Sequence, residues 1–224
     1  YCTPTHLAAD GVPEGGHNGG GVYVGERLLR SQLLLPFEKA VKSGAATVMT
    51  SYNQVDGIPC TSNKRLLTDI LRGEWGFDGF VYSDLYSIDV IHSLGAACDT
   101  AQAASLALKA GLDMDLGGDA YGNNLKNELD KGAISMDDIN RAVANVLRMK
   151  FRQGLFENPY VDPKRARTTC RSTEHIAIAE QVAEEGVVLL KNDEVLPLSP
   201  TLGRIAVIGP NADTPYNQLG DYTA

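Results

Sequence analysis

Long apolar runs are missing from this 224-residue chain, where nothing approaches the roughly 20 residues that a membrane-spanning helix needs. Cysteine is scarce and scattered. Cys2, Cys60, Cys98 and Cys170 include no Cys-x-x-Cys pair. Neither a zinc site nor a disulfide framework is encoded, and the four read as ordinary thiols that leave the redox compartment open. No Asn-x-Ser/Thr glycosylation site occurs. Positive charge is the minority sign: 20 Lys and Arg face 28 Asp and Glu, for a net charge of −8. Without a basic stripe, a phosphate backbone is a poor partner. The acidic balance fits a neutral ligand without identifying one.

What is present is ordinary globular material, 43% hydrophobic and 21% charged. The length fits one large domain, or a domain and a half. The chain opens on Tyr1 with nothing resembling a signal peptide and stops at Ala224 just after a fresh apolar run. Both ends therefore read as cut.

Strand-like and helix-like stretches alternate. Residues 46–51, 79–83 and, more weakly, 112–116 are apolar or β-branched runs of strand length. Between and after them the spacing predicts helices over 26–42, over 62–73 with Leu66, Leu67, Ile70 and Leu71 on one stripe, and over 100–110. A further helix is expected over 135–152, opened by Ser135 and Asp138 as a capping box and carrying Ile139, Val143, Val146 and Leu147. Tyr52, just past the first strand, lies 32 residues before Asp84, which lies 32 before Leu116. A (β/α)8 barrel of about 250 residues divides into units of roughly 31. An earlier strand around 3–8, followed by the Gly-rich loop at Gly19-Gly20-Gly21, makes four strands, half a barrel.

Half a barrel leaves two open parallel edges, so four βα units are expected ahead of the chain. A small four-stranded α/β domain complete in itself is the other reading. On the barrel reading Val48, Met49, Phe80 and Val81 need facing layers from other strands, and the chain alone is expected to fold poorly. The expected organisation is residues 1–154 as the C-terminal half of the barrel, 155–172 as a linker with two prolines, and 173–224 as the beginning of a second α/β domain. That second part has a helix near 173–186 and strands at 186–190 and 205–209.

Barrel enzymes keep their chemistry at the C-terminal ends of the strands. Here those ends carry Ser51-Tyr52-Asn53, Ser83-Asp84, and Asp113 and Asp115. Asp84 is the strongest candidate. A carboxylate on the rim can act as nucleophile, base or metal ligand, or can simply cap the helix that starts near Ile88.

Several segments, in order along nearly the whole chain, resemble glycoside hydrolase family 3. Gly73-Glu74-Trp75-Gly76-Phe77-Asp78-Gly79-Phe80-Val81-Tyr82-Ser83-Asp84 is similar to the family's nucleophile segment. Met49-Thr50-Ser51-Tyr52-Asn53 resembles the preceding strand, with Leu66-Leu67-Thr68-Asp69-Ile70-Leu71-Arg72 between the two. Ala110-Gly111-Leu112-Asp113-Met114 is similar to the last barrel strand. Glu185-Gly186-Val187-Val188-Leu189-Leu190-Lys191-Asn192 and Leu196-Pro197-Leu198 resemble the start of the second, α/β sandwich domain. The resemblance implies a retaining exo-β-glycosidase of β-glucosidase or β-xylosidase type. Such an enzyme works through two carboxyl groups about 5–5.5 Å apart.

By that resemblance Asp84 is the nucleophile, Tyr52 lies beside it and orients the carboxylate or the sugar through its hydroxyl, Met49 contacts the sugar, Leu85 keeps an apolar wall, and His6 hydrogen-bonds sugar hydroxyls. The partner is a β-glucoside or β-xyloside. No cofactor or metal is implied, nor any nucleic acid or membrane partner, and the setting is secreted or periplasmic. Two positions depart from the pattern. Thr5 stands where the family has lysine, and Leu85 where many members have tryptophan. The general acid, a second-domain glutamate in most members, has no counterpart by motif in this chain.

Rival readings remain. His17, with Glu14 three residues before it, occupies a loop comparable to the one whose Asp–His pair serves as acid/base in the N-acetylhexosaminidase branch, though the surrounding residues do not match. A non-catalytic carbohydrate-binding module is the reading from another class. Aromatics make up only 7%, however, with no exposed platform by motif. Asp113-x-Asp115-x-Gly117-Gly118-Asp119 lacks the spacing and terminal Glu of an EF-hand, and 205–210 lacks the Gly-x-Gly-x-x-Gly of a dinucleotide site.

Overall fold

The computed structural model describes residues 2–220. The chain divides after Tyr160 into two units. The first holds β1 (Gly21–Val22), α1 (Glu26–Leu28), α2 (Leu35–Lys42), β2 (Thr47–Met49), β3 (Gln54–Val55), β4 (Ile58–Pro59), β5 (Phe80–Tyr82), α3 (Ser87–Ser93), α4 (Thr100–Ala110), α5 (Ala120–Asp130) and α6 (Met136–Arg152). Two π-wound helical stretches, Leu29–Leu33 and Arg65–Glu74, and two 3-10 turns, Glu14–Gly16 and Cys60–Ser62, complete it. This is the α/β alternation expected from the sequence.

Four segments run parallel, side by side, in chain order. Leu7 bridges to Thr50 at the end of β2, β2 pairs with β5 (Val48 opposite Val81), and Tyr82 bridges to Met114. A Cβ on Gly79 would overlap the Ala46 carbonyl oxygen, so glycine is what lets β5 start this close to β2. The expected strands at 3–8 and 112–116 are reduced to these single bridges. At the second, Asp113 Oδ2 accepts the Val81 N–H at 2.8 Å, so a side chain takes one ladder bond beside the backbone bonds from Asp113 N–H to the Val81 carbonyl and from Ser83 N–H to the Met114 carbonyl. Beside this ladder β1 pairs with β3, and β3 turns into β4 around Asp56-Gly57, both at positive φ.

Strand alternation splits the ladder into two faces. Val48 and Val81, both 0% exposed, share a core with Leu67, Leu71, Ile88, Ile91, Ala103, Ala107 and Leu112. Burying each valine is worth about 1.5–3 kcal/mol. The expectation that Val48 and Val81 lack a facing layer is therefore corrected: this unit's own helices supply it. The opposite face, with Met49, Phe80 and Tyr82, is only half-buried, and the two rings meet at 5.9 Å between centroids.

Two helices show how polar residues enter this core. The stripe Leu66, Leu67, Ile70 and Leu71 is buried as expected. In α6 the capping box of Ser135 and Asp138 forms, but the buried face is Ala142, Asn145 and Met149, while Val143 and Leu147 lie exposed. The reason is Asn145. Its amide donates to Asp113 Oδ1 at 2.9 Å, joining a buried ion pair in which Arg72 Nη2 meets Asp113 Oδ2 at 2.5 Å. Burial pushes the Asp113 carboxyl up, against the pull of Arg72 and its N–H donors. Asp113 is thus a cross-brace between the Arg65–Glu74 helix, β5 and α6.

The second unit holds α7 (Pro163–Thr169), capped by Asp162, and α8 (Thr173–Gly186), capped by Ser172. A short turn at Pro215–Gln218 follows. None of its described residues is buried. The runs 186–190 and 205–209, expected as strands, are not strands here. A strand exists only with a hydrogen-bonded neighbour, and these runs find none among the described residues. No helix among the described residues is long and apolar enough to cross a membrane.

Candidate active site

Asp84 lies two residues beyond β5, so alternation places it in the row of Phe80 and Tyr82, and Met49 stands opposite Tyr82 in that row. Its side chain is 12% exposed. Both carboxylate oxygens are held. Oδ1 accepts the Leu85 N–H at 2.7 Å, and Oδ2 lies 3.2 Å from His6 Nε2. Asp84 is not the side-chain cap of α3. The chain turns through Tyr86, at φ 58°, and Ser87 N–H binds the Asp84 carbonyl at 3.0 Å.

The pieces around it come from separate segments. His6 immediately precedes Leu7, whose bridge to Thr50 brings the first segment alongside β2. Tyr52, three residues past β2, donates its hydroxyl to the Leu85 carbonyl at 2.8 Å, so the phenol is anchored one residue from Asp84. Leu85 is partly exposed and lies against Gly117, where a Cβ would overlap its Cδ2. Beneath, the buried hydroxyls of Thr50, Thr61 and Ser87 are linked at 3.0 Å each, tying the end of β2 to the first turn of α3. Ser83 Oγ accepts the Leu116 N–H at 2.8 Å and fixes the neighbouring strand end.

The structure therefore gathers His6, Asp84 and Leu85, with Tyr52 reaching Leu85 and Met49 on the same sheet face. His17 is not gathered. It sits exposed on the loop after Glu14–Gly16, and its ring makes no hydrogen bond among the described residues. Asp113 also stays out, spent on Arg72. Asp115 is partly buried, and burial followed by the nearby Asp89 and Asp119 pushes its carboxyl up, although N–H donors from Tyr121 and Ala120 oppose this. Among the described residues no three His, Cys, Asp or Glu converge as metal ligands.

Asp10 escaped the sequence reading, and Ser51 and Asn53 were named there only as part of a polar strand end. Asp10 Oδ2 lies 3.2 Å from His6 Nδ1, and Asp10 Oδ1 lies 3.1 Å from Ser51 Oγ, whose hydroxyl also meets Asn53 Oδ1. Asn53 Nδ2 donates to the Ala8 carbonyl at 3.1 Å. The available signal was a carboxylate four residues after a histidine, opposite a polar strand end.

Residues 2–149 match the model of the glycosyl hydrolase family 3 N-terminal domain. The chain is 37% identical to a periplasmic β-glucosidase of Salmonella typhimurium, an alignment covering 98% of the chain and 29% of that protein. It is 39% identical to a β-xylosidase of Formosa agariphila, covering 95% of the chain and 31% of that protein. The crystal structure of the β-glucosidase of Listeria innocua in complex with glucose superposes with a TM-score of 0.82 at 35% identity, over 88% of this chain and 27% of that one. The chain thus spans less than a third of the length of these relatives.

Proposed function

The chain belongs to glycosyl hydrolase family 3, and on that premise we propose that it is the nucleophile-bearing part of a retaining exo-β-glycosidase for terminal β-D-glucosides or β-D-xylosides. The observation that carries the reading is the Asp84 carboxylate at the end of β5, oriented through both oxygens by Leu85 N–H and His6. A preset carboxylate suits attack on an anomeric carbon, because orientation is settled before the sugar arrives.

In the first step an Asp84 oxygen forms a bond to the anomeric carbon. The bond to the leaving oxygen breaks, and that oxygen takes a proton from an acid located outside this chain. In the second step water, deprotonated by the same group, displaces Asp84 and restores it. Met49, Leu85 and Tyr52 shape the walls, while His6, with a carboxylate 3.2 Å from each ring nitrogen, orients Asp84 rather than binding sugar hydroxyls as the family resemblance implies. The half-buried face of Met49, Phe80 and Tyr82 fits closure by further strands of a (β/α)8 barrel, of which residues 1–154 form the last four units. Residues 155–172 are then the linker. Residues 173–224 begin a second α/β domain, in which the exposed runs at 186–190 and 205–209 acquire strand partners.

The test is Asp84→Ala in the complete polypeptide. Turnover of aryl β-glucosides and β-xylosides falls by several orders of magnitude, since the covalent step has no other nucleophile. Unchanged turnover overturns the reading.

A further inference from the structure

His6 stands between two carboxylates, 3.2 Å from each, Asp84 on Nε2 and Asp10 on Nδ1. Carboxylate oxygens can only accept, so the ring is bracketed by an acceptor at each nitrogen. Asp10 is also built into place. Ala9, which carries a Cβ and is buried, takes φ 67°, a conformation L-residues rarely adopt, and this turn brings Asp10 back over His6. From below, the buried Ser51 Oγ lies 3.1 Å from the second Asp10 oxygen, its single hydrogen shared with the closer Asn53 Oδ1, while Asn53 Nδ2 holds the Ala8 carbonyl just upstream. The two Asp10 oxygens thus face different neighbours, one Ser51 and one His6.

We propose that Asp10 is a positioning residue of the glycosidase site, acting through His6 to hold the Asp84 carboxylate in its attacking orientation. The proposal rests on Asp84 being the nucleophile. With Asp10 removed, the His6 ring keeps only its Asp84 contact and is free to rotate away from it. The nucleophile would lose one of its two anchors without losing any contact of its own with the sugar. The consequence falls on kcat, with little change in KM.

The experiment uses the complete polypeptide with p-nitrophenyl β-D-glucoside and β-D-xyloside, and compares Asp10→Ala, Asp10→Asn, Asp10→Glu and Asp84→Ala. Active sites are counted by trapping with a 2-deoxy-2-fluoro glycosyl fluoride, so that misfolded protein does not register as slow protein. Misplacing a reacting group by about 1 Å can cost about 100-fold in rate. The expected result is therefore a fall in kcat per active site of about 10- to 100-fold for Asp10→Ala, with KM within about threefold. Asp10→Asn is intermediate, because its amide oxygen can still accept, and Asp10→Glu recovers most of the rate. If Asp10→Ala retains kcat per active site while Asp84→Ala abolishes turnover, Asp10 is only a structural residue of its turn and the inference fails. A loss that sits in KM, or that Asp10→Glu does not relieve, also overturns it. Retained turnover in Asp84→Ala instead brings down the glycosidase reading beneath it.

Discussion

In the first unit the triplet Thr47–Met49 is a strand, and Val48 is fully buried. In the second, Val187, Val188, Leu189 and Leu190 are at least as apolar and as rich in strand-forming residues, yet they lie open, with Leu190 92% exposed. Local preference does not separate the two. Neighbours do: β2 has the Leu7 segment on one side and β5 on the other, with helices covering one face. The run at 187–190 has none of these among the described residues. Apolar sequence supplies the material for a strand, and a hydrogen-bonded partner with a covering layer makes it one.

The largest effect that would probe this contrast lies in the buried brace. Asp113→Ala leaves Arg72 charged and uncompensated in the interior, which costs about 3–5 kcal/mol. Urea unfolding of the complete polypeptide should show that loss in the first unit. A cost below about 1 kcal/mol would mean that Arg72 escapes to solvent and the brace is not holding the fold.

Next comes a matched pair. Val81→Ala should destabilise by about 1.5–3 kcal/mol, the worth of a fully buried valine. If 187–190 is as open as it is here, Val188→Ala should stay within about 0.5 kcal/mol. A comparable loss at both positions would show that the second run packs in solution. Hydrogen exchange resolves the same contrast residue by residue, with the Thr50 and Ser83 amides protected and those of 187–190 exchanging freely.

The smallest effect concerns the α6 capping box. The Ser135 hydroxyl and N–H hold the Asp138 carboxyl below its ordinary value. A depressed carboxyl contributes stability above its unfolded value, 3.8, and loses it as pH falls through the lower folded value. Asp138→Asn should therefore cost about 0.5–1 kcal/mol at pH 7 and almost nothing near pH 2. An equal cost at both values would assign the effect to shape alone.

How much the amino-acid order revealed differs from place to place for physical reasons. Helix α4 and the Ser135 cap are local patterns, and both appear where expected. Asp84 was visible because a strand end is itself a local signal. The buried face of α6 was misjudged because a polar residue, Asn145, occupies a core position to serve Asp113, which is distant in sequence. The strand at 112–116 shrank for the same reason, a side chain taking a ladder bond. The contacts of Asp10 were invisible because they depend on a left-handed turn at Ala9 and on Ser51 arriving from another segment. Neither follows from neighbouring letters.

On the function proposed above, Asp84 forms the covalent bond to the sugar. The most direct measurement is to treat the complete polypeptide with 2-deoxy-2-fluoro-β-D-glucosyl or -xylosyl fluoride, digest it, and locate the added sugar by mass spectrometry. The account predicts one label, on Asp84, formed at the rate at which activity is lost. A label on another carboxylate, or full inactivation without any label on Asp84, would contradict it.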